Sequence, residues 1–198
     1  MLVIKLVGSN MKIEKSVNIT YFVHGTTVDN EKHVSSGWAD IELSELGKNQ
    51  SIELKELIGD KKFDVVFCSD LKRAVDSAKL TFGDKVKIIK DKRLRECDYG
   101  DFTRVDSEKV DKLYLANIDK PFPNGESLKD VERRIKSFLN DLFIKYSGKK
   151  VVIVAHRSPQ LALDVILKGK TWKQAVEEDW RLKGHDGWKP GWEYLLKS

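Results

Sequence analysis

The chain has 198 residues, of which 40% are hydrophobic and 34% charged, with a net charge of +5. That is enough apolar material for one domain that folds without metal or disulfide staples. The basic excess is scattered among acidic residues with no zinc-finger spacing or basic helix, which argues against a nucleic-acid partner.

Two cysteines, Cys68 and Cys97, are too few for a disulfide-stapled secreted scaffold and lack zinc-site spacing, so they are expected to be free packing thiols. The opening "MLVIKLVGSNMKIEKSV" carries Lys5 inside a short apolar run and has no small-residue cleavage site. No apolar run reaches bilayer length, so the sequence is expected to be cytoplasmic, with no membrane partner.

Residues 1–17 alternate around "GSN" and predict a β-hairpin extension. "NITYFV" at 18–23 is rich in β-branched and aromatic residues and predicts a strand, and Ser44 can cap a helix running to Ile58. "FDVVFC" at 63–68 predicts a second buried strand, and "DLKRAVDSAKLTF" a helix with Leu71, Ala74, Val75, Ala78 and Leu80 on its apolar positions. "KVKII" at 85–89 predicts a third strand. "SLKDVERRIKSFLNDLFIKY" places Leu128, Val131, Ile135, Phe138, Leu139 and Leu142 on one helical face behind a Ser127/Asp130 capping box. "KKVVIVA" at 149–155 predicts a fourth strand, and "WEYLL" near the end an edge strand.

Short apolar strands alternating with amphipathic helices predict a single domain over 1–198: a three-layer α/β/α sandwich around a mostly parallel, mixed sheet. Ligands in such sheets sit beyond the carboxyl ends of the strands, where His24, Ser69 and His156 fall. A neutral imidazole can attack phosphorus and split one hard displacement into two easier ones. The charge on the transferred group calls for fixed cations, and the leaving alkoxide for a carboxylic acid. His24, Arg73, His156 and Glu96 are candidates for those roles. Each alone has a plainer reading, as a satisfied strand-end histidine, an ion-paired arginine or a loop charge.

The motifs "VHGTTVDN", "SGWADIELSELG", "SDLKRA", "LRECDYGDF", "NGESLKDVERR" and "VVIVAH", in that order from about residue 19 to 168, resemble the histidine phosphatase superfamily, in the phosphoglycerate mutase-like branch. The resemblance implies that His24 is phosphorylated, that Glu96 is the proton donor, and that Thr27, Asn30, Arg73 and His156 line the phosphate pocket. Gly25, Ser36 and Gly37 are placed beside them as binding positions. No metal or other cofactor is implied, and the partner is a small phosphorylated metabolite or a phosphoprotein.

Two departures stand out. The family has an arginine before its nucleophilic histidine, where this sequence has Val23, and usually a glycine after its second histidine, where this sequence has Arg157. Arg157 can be read as a compensating phosphate ligand or as a surface residue. Ser36-Gly37-Trp38 and Tyr99 are mutase-like, whereas Asp98 with "YGDF" and the short 101–124 segment are phosphatase-like.

The leading expectation is therefore a phosphatase working through His24, slowed as acid protonates an ordinary imidazole. The alternatives are a phosphoglycerate mutase and a catalytically impaired phosphate-binding or regulatory member. Trp38, Trp172, Trp180, Trp188 and Trp192 are expected to be mostly packing residues, and His33 and His185 to lie on the surface.

Overall fold

The computed structural model describes residues 15–83, 85–182, 188 and 191–197. In chain order the elements are β1 (Ser16–Val23), α1 (Val28–Glu31), β2 (Val34–Ser35), α2 (Glu45–Ile58), β3 (Val65–Cys68), α3 (Lys72–Phe82), β4 (Ile88–Lys90), β5 (Val105–Asp106), α4 (Ser107–Leu113), α5 (Leu128–Tyr146), β6 (Lys150–Ala155), α6 (Arg157–Lys168), α7 (Trp172–Glu177) and β7 (Trp192–Lys197). The main sheet runs β4-β3-β6-β1-β7, and β2 pairs with β5 in a separate two-stranded ladder. β1, β6, β3 and β4 are parallel, and β7 joins β1 antiparallel with Tyr21 opposite Trp192. The expected edge strand at the end of the sequence is this β7. The expected hairpin falls mostly on residues 1–14, outside the described residues; 16 and 17 open β1.

The two faces of the sheet bury different sets. Val17, Ile19, Tyr21 and Val23 of β1 join α5, α6 and α7 in one cluster, while Phe22, Val66, Cys68, Val152 and Val154 meet Leu54 of α2 and Ala78 and Phe82 of α3 in the other. That alternation is the period-2 geometry of a strand with helices on both sides, and it yields the three expected layers.

The helix over 128–146 forms as the sequence predicts. Ser127 Oγ accepts from the Asp130 N–H at 3.1 Å and Asp130 Oδ2 accepts from the Ser127 N–H at 2.9 Å, closing the capping box. Its six apolar positions are buried, and each such side chain contributes about 2 kcal/mol of gross burial energy. The strands called over 63–68 and 85–89 begin later, at Val65 and Ile88, because only there does a neighbouring strand offer a ladder.

The chain leaves β1, crosses to β3 and β4, and returns to place β6 between β1 and β3. At the carboxyl ends of these strands the His24 N–H donates to Ala155 O at 3.0 Å and the Ser69 N–H to Val154 O at 3.1 Å. The crevice at such a crossover point is where a parallel sheet leaves room for a ligand.

Candidate active site

His24 follows the last residue of β1 and opens a loop pressed against the first turn of α2. A Cβ on Gly25 would lie 2.3 Å from Gly47 O, and one on Gly47 1.9 Å from Thr26 O. Both glycines are therefore required by the approach of two backbones. The Gly25 N–H donates to Ser77 Oγ at 3.0 Å, and Gly25 O lies 2.7 Å from His24 Nδ1. A carbonyl can only accept, so Nδ1 carries the ring proton and Nε2 keeps its lone pair.

The His156 ring sits 5.0 Å from that of His24, centroid to centroid, at 61°. It is pinned through its backbone: Tyr21 Oη donates to His156 O at 2.6 Å and accepts from the His156 N–H at 3.0 Å. Both ring nitrogens of His156 are buried and unpartnered. Such orphans are rare in folded proteins and mark places where a ligand completes the hydrogen bonding.

Arg73, in the first turn of α3, is 2% exposed. It donates to Ala39 O at 2.9 Å and to Gly37 O at 2.7 Å. Among the described residues it forms no ion pair, so backbone carbonyls aim its charge without neutralising it. The same 36–39 loop reaches Glu96, since Trp38 Nε1 donates to Glu96 O at 2.7 Å; Arg134 of α5 does likewise at 2.8 Å. The Glu96 side chain seats itself at the start of α6. Oε1 accepts from the N–H groups of Cys97 (2.8 Å) and Ser158 (3.0 Å), and Oε2 from that of Arg157 (3.1 Å). A carboxylate here also complements the positive end of the helix.

Burial and, after it, the Arg73 guanidinium lower the pKa of His24 to about 3 against the opposing Gly25 hydrogen bond. Burial, Arg73 and His24 together hold His156 well below the ordinary imidazole range. This corrects the expected acid response: His24 stays neutral through the range in which a free imidazole protonates, so its own titration sets no acid limit there.

These groups meet at a cleft of about 300 Å³. His24, Asn30, Ser36, Gly37, Arg73, Glu96 and Arg157 line it, and His156 stands beside His24 without reaching the wall. Two expected phosphate positions lie elsewhere. Thr27 is fully buried outside the cleft lining, and its Oγ1 caps α1 by accepting from the Asn30 N–H at 3.1 Å. Gly25 is packed against Gly47 and serves to orient His24. Ser36 Oγ donates to Asp29 Oδ2 at 3.1 Å.

Arg157 turns neither to solvent nor freely into the cleft. Its Nε donates to Asp179 Oδ2 at 2.6 Å, its Nη1 to Asp111 Oδ1, and its guanidinium lies 4.3 Å from the Tyr114 ring centre. Two carboxylates engage its charge while its Nη2 stays buried without a partner at the cleft lining, which corrects the reading of Arg157 as a surface residue.

The far wall comes from a segment the sequence left open. Trp180, Arg181 and Trp188 line the cleft, and Trp188 Nε1 donates to His24 O at 3.2 Å. Two of the five tryptophans thus face the cleft. Trp172 is buried with its Nε1 on Glu132 Oε2 at 2.7 Å, Trp38 packs under Arg95, and Trp192 packs edge-on to Tyr21. The one usable signal was the edge strand itself. If β7 pairs antiparallel with β1, the residues before it must cross the end where His24 sits. Cys68 and Cys97 are buried free thiols outside the cleft lining, and exposed His33 lies on the surface. His185 is outside the described residues.

The family profile described as "Histidine phosphatase superfamily (branch 1)" matches residues 21–183. A 2,3-bisphosphoglycerate-dependent phosphoglycerate mutase from Methylorubrum populi is 30% identical over 76% of this chain and 78% of its own. The uncharacterized phosphatase PhoE from Bacillus subtilis is 30% identical over 82% of this chain and 91% of its own. Among solved structures, a mycobacterial glucosyl-3-phosphoglycerate phosphatase superposes with a TM-score of 0.71 at 28% identity, covering 82% of this chain and 84% of that one. From the profile match across most of the chain, the shared fold and two histidines converging at the strand ends, the chain belongs to branch 1 of the histidine phosphatase superfamily.

Proposed function

We propose that the chain hydrolyses a small phosphomonoester in two steps through a phosphohistidine at His24. The observation that carries this reading is the state of the His24 ring. Nδ1–H is committed to Gly25 O, the ring is held neutral, and Nε2 is left as a nucleophile in a cleft that also presents the unneutralised Arg73.

In the first step Nε2 attacks phosphorus, the ester P–O bond breaks, and Glu96 in its acid form passes a proton to the departing alkoxide. In the second, water attacks the phosphohistidine while Glu96 takes back a proton, the P–N bond breaks and inorganic phosphate leaves. Glu96 Oε2, with one N–H partner against two at Oε1, is the oxygen with capacity left for that proton. Arg73 receives the phosphoryl oxygens, Asn30 adds an amide from the rim, and the unpartnered His156 ring backs His24 from behind the cleft wall. The size of the cleft and its tryptophan wall favour a phosphorylated metabolite over a phosphoprotein.

A phosphoglycerate mutase is the second reading, supported by Tyr99 and the Ser36-Gly37 loop in the lining and by the mutase relatives. The test incubates wild type and His24→Ala with a chromogenic phosphate ester and with phosphoglycerates, traps acid-labile phosphoenzyme, and measures phosphate release. Phosphoenzyme and release that vanish in His24→Ala support hydrolysis, and transfer between hydroxyls without release supports the mutase. Equal signals from the two proteins would leave only the catalytically impaired member.

A further inference from the structure

β1 offers no cation beside its own histidine: Val23 lines the cleft with a hydrocarbon side chain. The wall opposite comes from the C-terminal segment, whose course is set by the β7–β1 ladder and by the bond from Trp188 to the His24 carbonyl. Within it the Trp180–Leu182 turn carries Arg181 into the lining. The guanidinium lies 5.1 Å from the Trp180 ring centre and 5.7 Å from that of Trp192, and Nη1 donates to Asp179 Oδ1 at 2.9 Å. Nη2 is buried and has no partner. Its charge also reaches the nucleophile, helping to keep the His24 ring deprotonated. Arg157 also lines the cleft with a buried, unpartnered Nη2, but two carboxylates, Asp111 and Asp179, engage its guanidinium, whereas Arg181 pairs with Asp179 alone.

We propose that Arg181 binds the phosphoryl group over His24, its open Nη2 bonding an equatorial oxygen in the place that Val23 leaves without a cation. Asp179 and the two indole rings hold the guanidinium in position, so little side-chain freedom is lost when phosphate arrives. This assignment rests on the phosphohistidine reading, and its test is built to separate the two.

Arg181→Ala, Arg181→Lys, Asp179→Asn and His24→Ala are compared with wild type for affinity toward inorganic phosphate, for kcat/KM on two esters with different alcohols, and for melting midpoint. The expected result for Arg181→Ala is a loss of about 100-fold in kcat/KM, equal for both esters, with a parallel loss of phosphate affinity. Arg181→Lys falls between, and added guanidinium ion restores part of the Arg181→Ala loss. Asp179→Asn breaks the same ion pairs and lowers the melting midpoint, yet loses less phosphate affinity than Arg181→Ala because the guanidinium remains and only its positioning is weakened. The proposal is overturned if Arg181→Ala binds phosphate as wild type does. It also fails if Asp179→Asn loses as much affinity as Arg181→Ala, which would make the effect one of tail anchoring, or if the loss depends on the alcohol. Phosphate affinity is read without turnover, so these failures are distinct from a His24→Ala protein that remains active, which would remove the phosphohistidine and this assignment with it.

Discussion

Acidifying the protein from pH 7.5 to pH 5 should destabilise it through His24 and His156 before its carboxylates are involved. In the unfolded chain a histidine takes up its proton near pH 6.5, whereas folded His24 does so at about 3. Above 6.5 both states are neutral and the ring costs nothing. Below 6.5 the unfolded state binds the proton and the folded state does not, so stability falls until pH 3. At pH 5 the ring lies 1.5 units inside that window, or about 2 kcal/mol, which contact of the half-buried ring with cleft water reduces toward ~1 kcal/mol. His156, fully buried and also shifted down, adds to the loss in the same direction. The ion-paired Asp179 and Asp70 act lower: with folded values below the usual carboxylate range, their contribution is present above about pH 4 and is lost only beneath it. The assay is denaturant unfolding of wild type, His24→Asn and His156→Asn at half-unit steps of pH. Between pH 7.5 and 5 the wild-type curve should drop relative to each variant by the amounts above. Parallel curves across that range would refute the reasoning, as would an imidazole resonance of His24 that titrates near pH 6.5.

Replacing Arg73 by Met removes the cation aimed by Gly37 and Ala39 and should lower kcat/KM by about two to three decades, measured by steady-state kinetics, with the fold intact by circular dichroism. Gly47→Ala drives a methyl group into Thr26 O and should cost about 1–3 kcal/mol in denaturant unfolding while also lowering activity, because the backbone that must yield carries His24. Trp172→Phe leaves Glu132 Oε2 without its indole donor and should cost about 1–2 kcal/mol with kcat/KM unchanged. Burial pushes the Cys68 thiol up to about 12 and the Cys97 thiol higher still, so iodoacetamide at neutral pH should leave the native protein unlabelled and active.

The sheet and its longest helix were readable because each has one dominant period: β1, β3 and β6 as apolar runs, and α5 as a single apolar stripe with its capping box. α6 had no such stripe. Residues 158–164 are all buried, and Pro159 interrupts the pattern, although a proline in the first turn sacrifices no helical hydrogen bond. The short β2, β5 and α4 depend on contacts between distant loops, which no local pattern announces. At the site, His24 and His156 stood out because each follows a recognisable strand, whereas Arg73 and Glu96 were singled out by the motifs around them, "SDLKRA" and "LRECDYGDF".

Thr27 was misplaced because one hydroxyl suits a helix cap and a phosphate equally well, and only the geometry of α1 decides between them. Arg157 was ambiguous for a different reason. Its partners Asp111 and Asp179 lie 46 and 22 residues away, so nothing beside it in the sequence signals its ion pairs. The contribution of Trp180, Arg181 and Trp188 followed from strand pairing at the end of the chain, which the sequence could only suggest.

That pairing also orders events during synthesis. Both histidines and Glu96 belong to parts of the chain that leave the ribosome before β7, and β1 and β6 can form their ladder while the last strand is still being made. A nascent protein at that stage has His24 without its Trp188 cover and its β1 edge bare. Docking of β7 covers the β1 edge, leaving the shorter β7 exposed in its place, and carries the indole of Trp188 onto the His24 carbonyl, so that completion of the sheet and completion of the cleft wall arrive together.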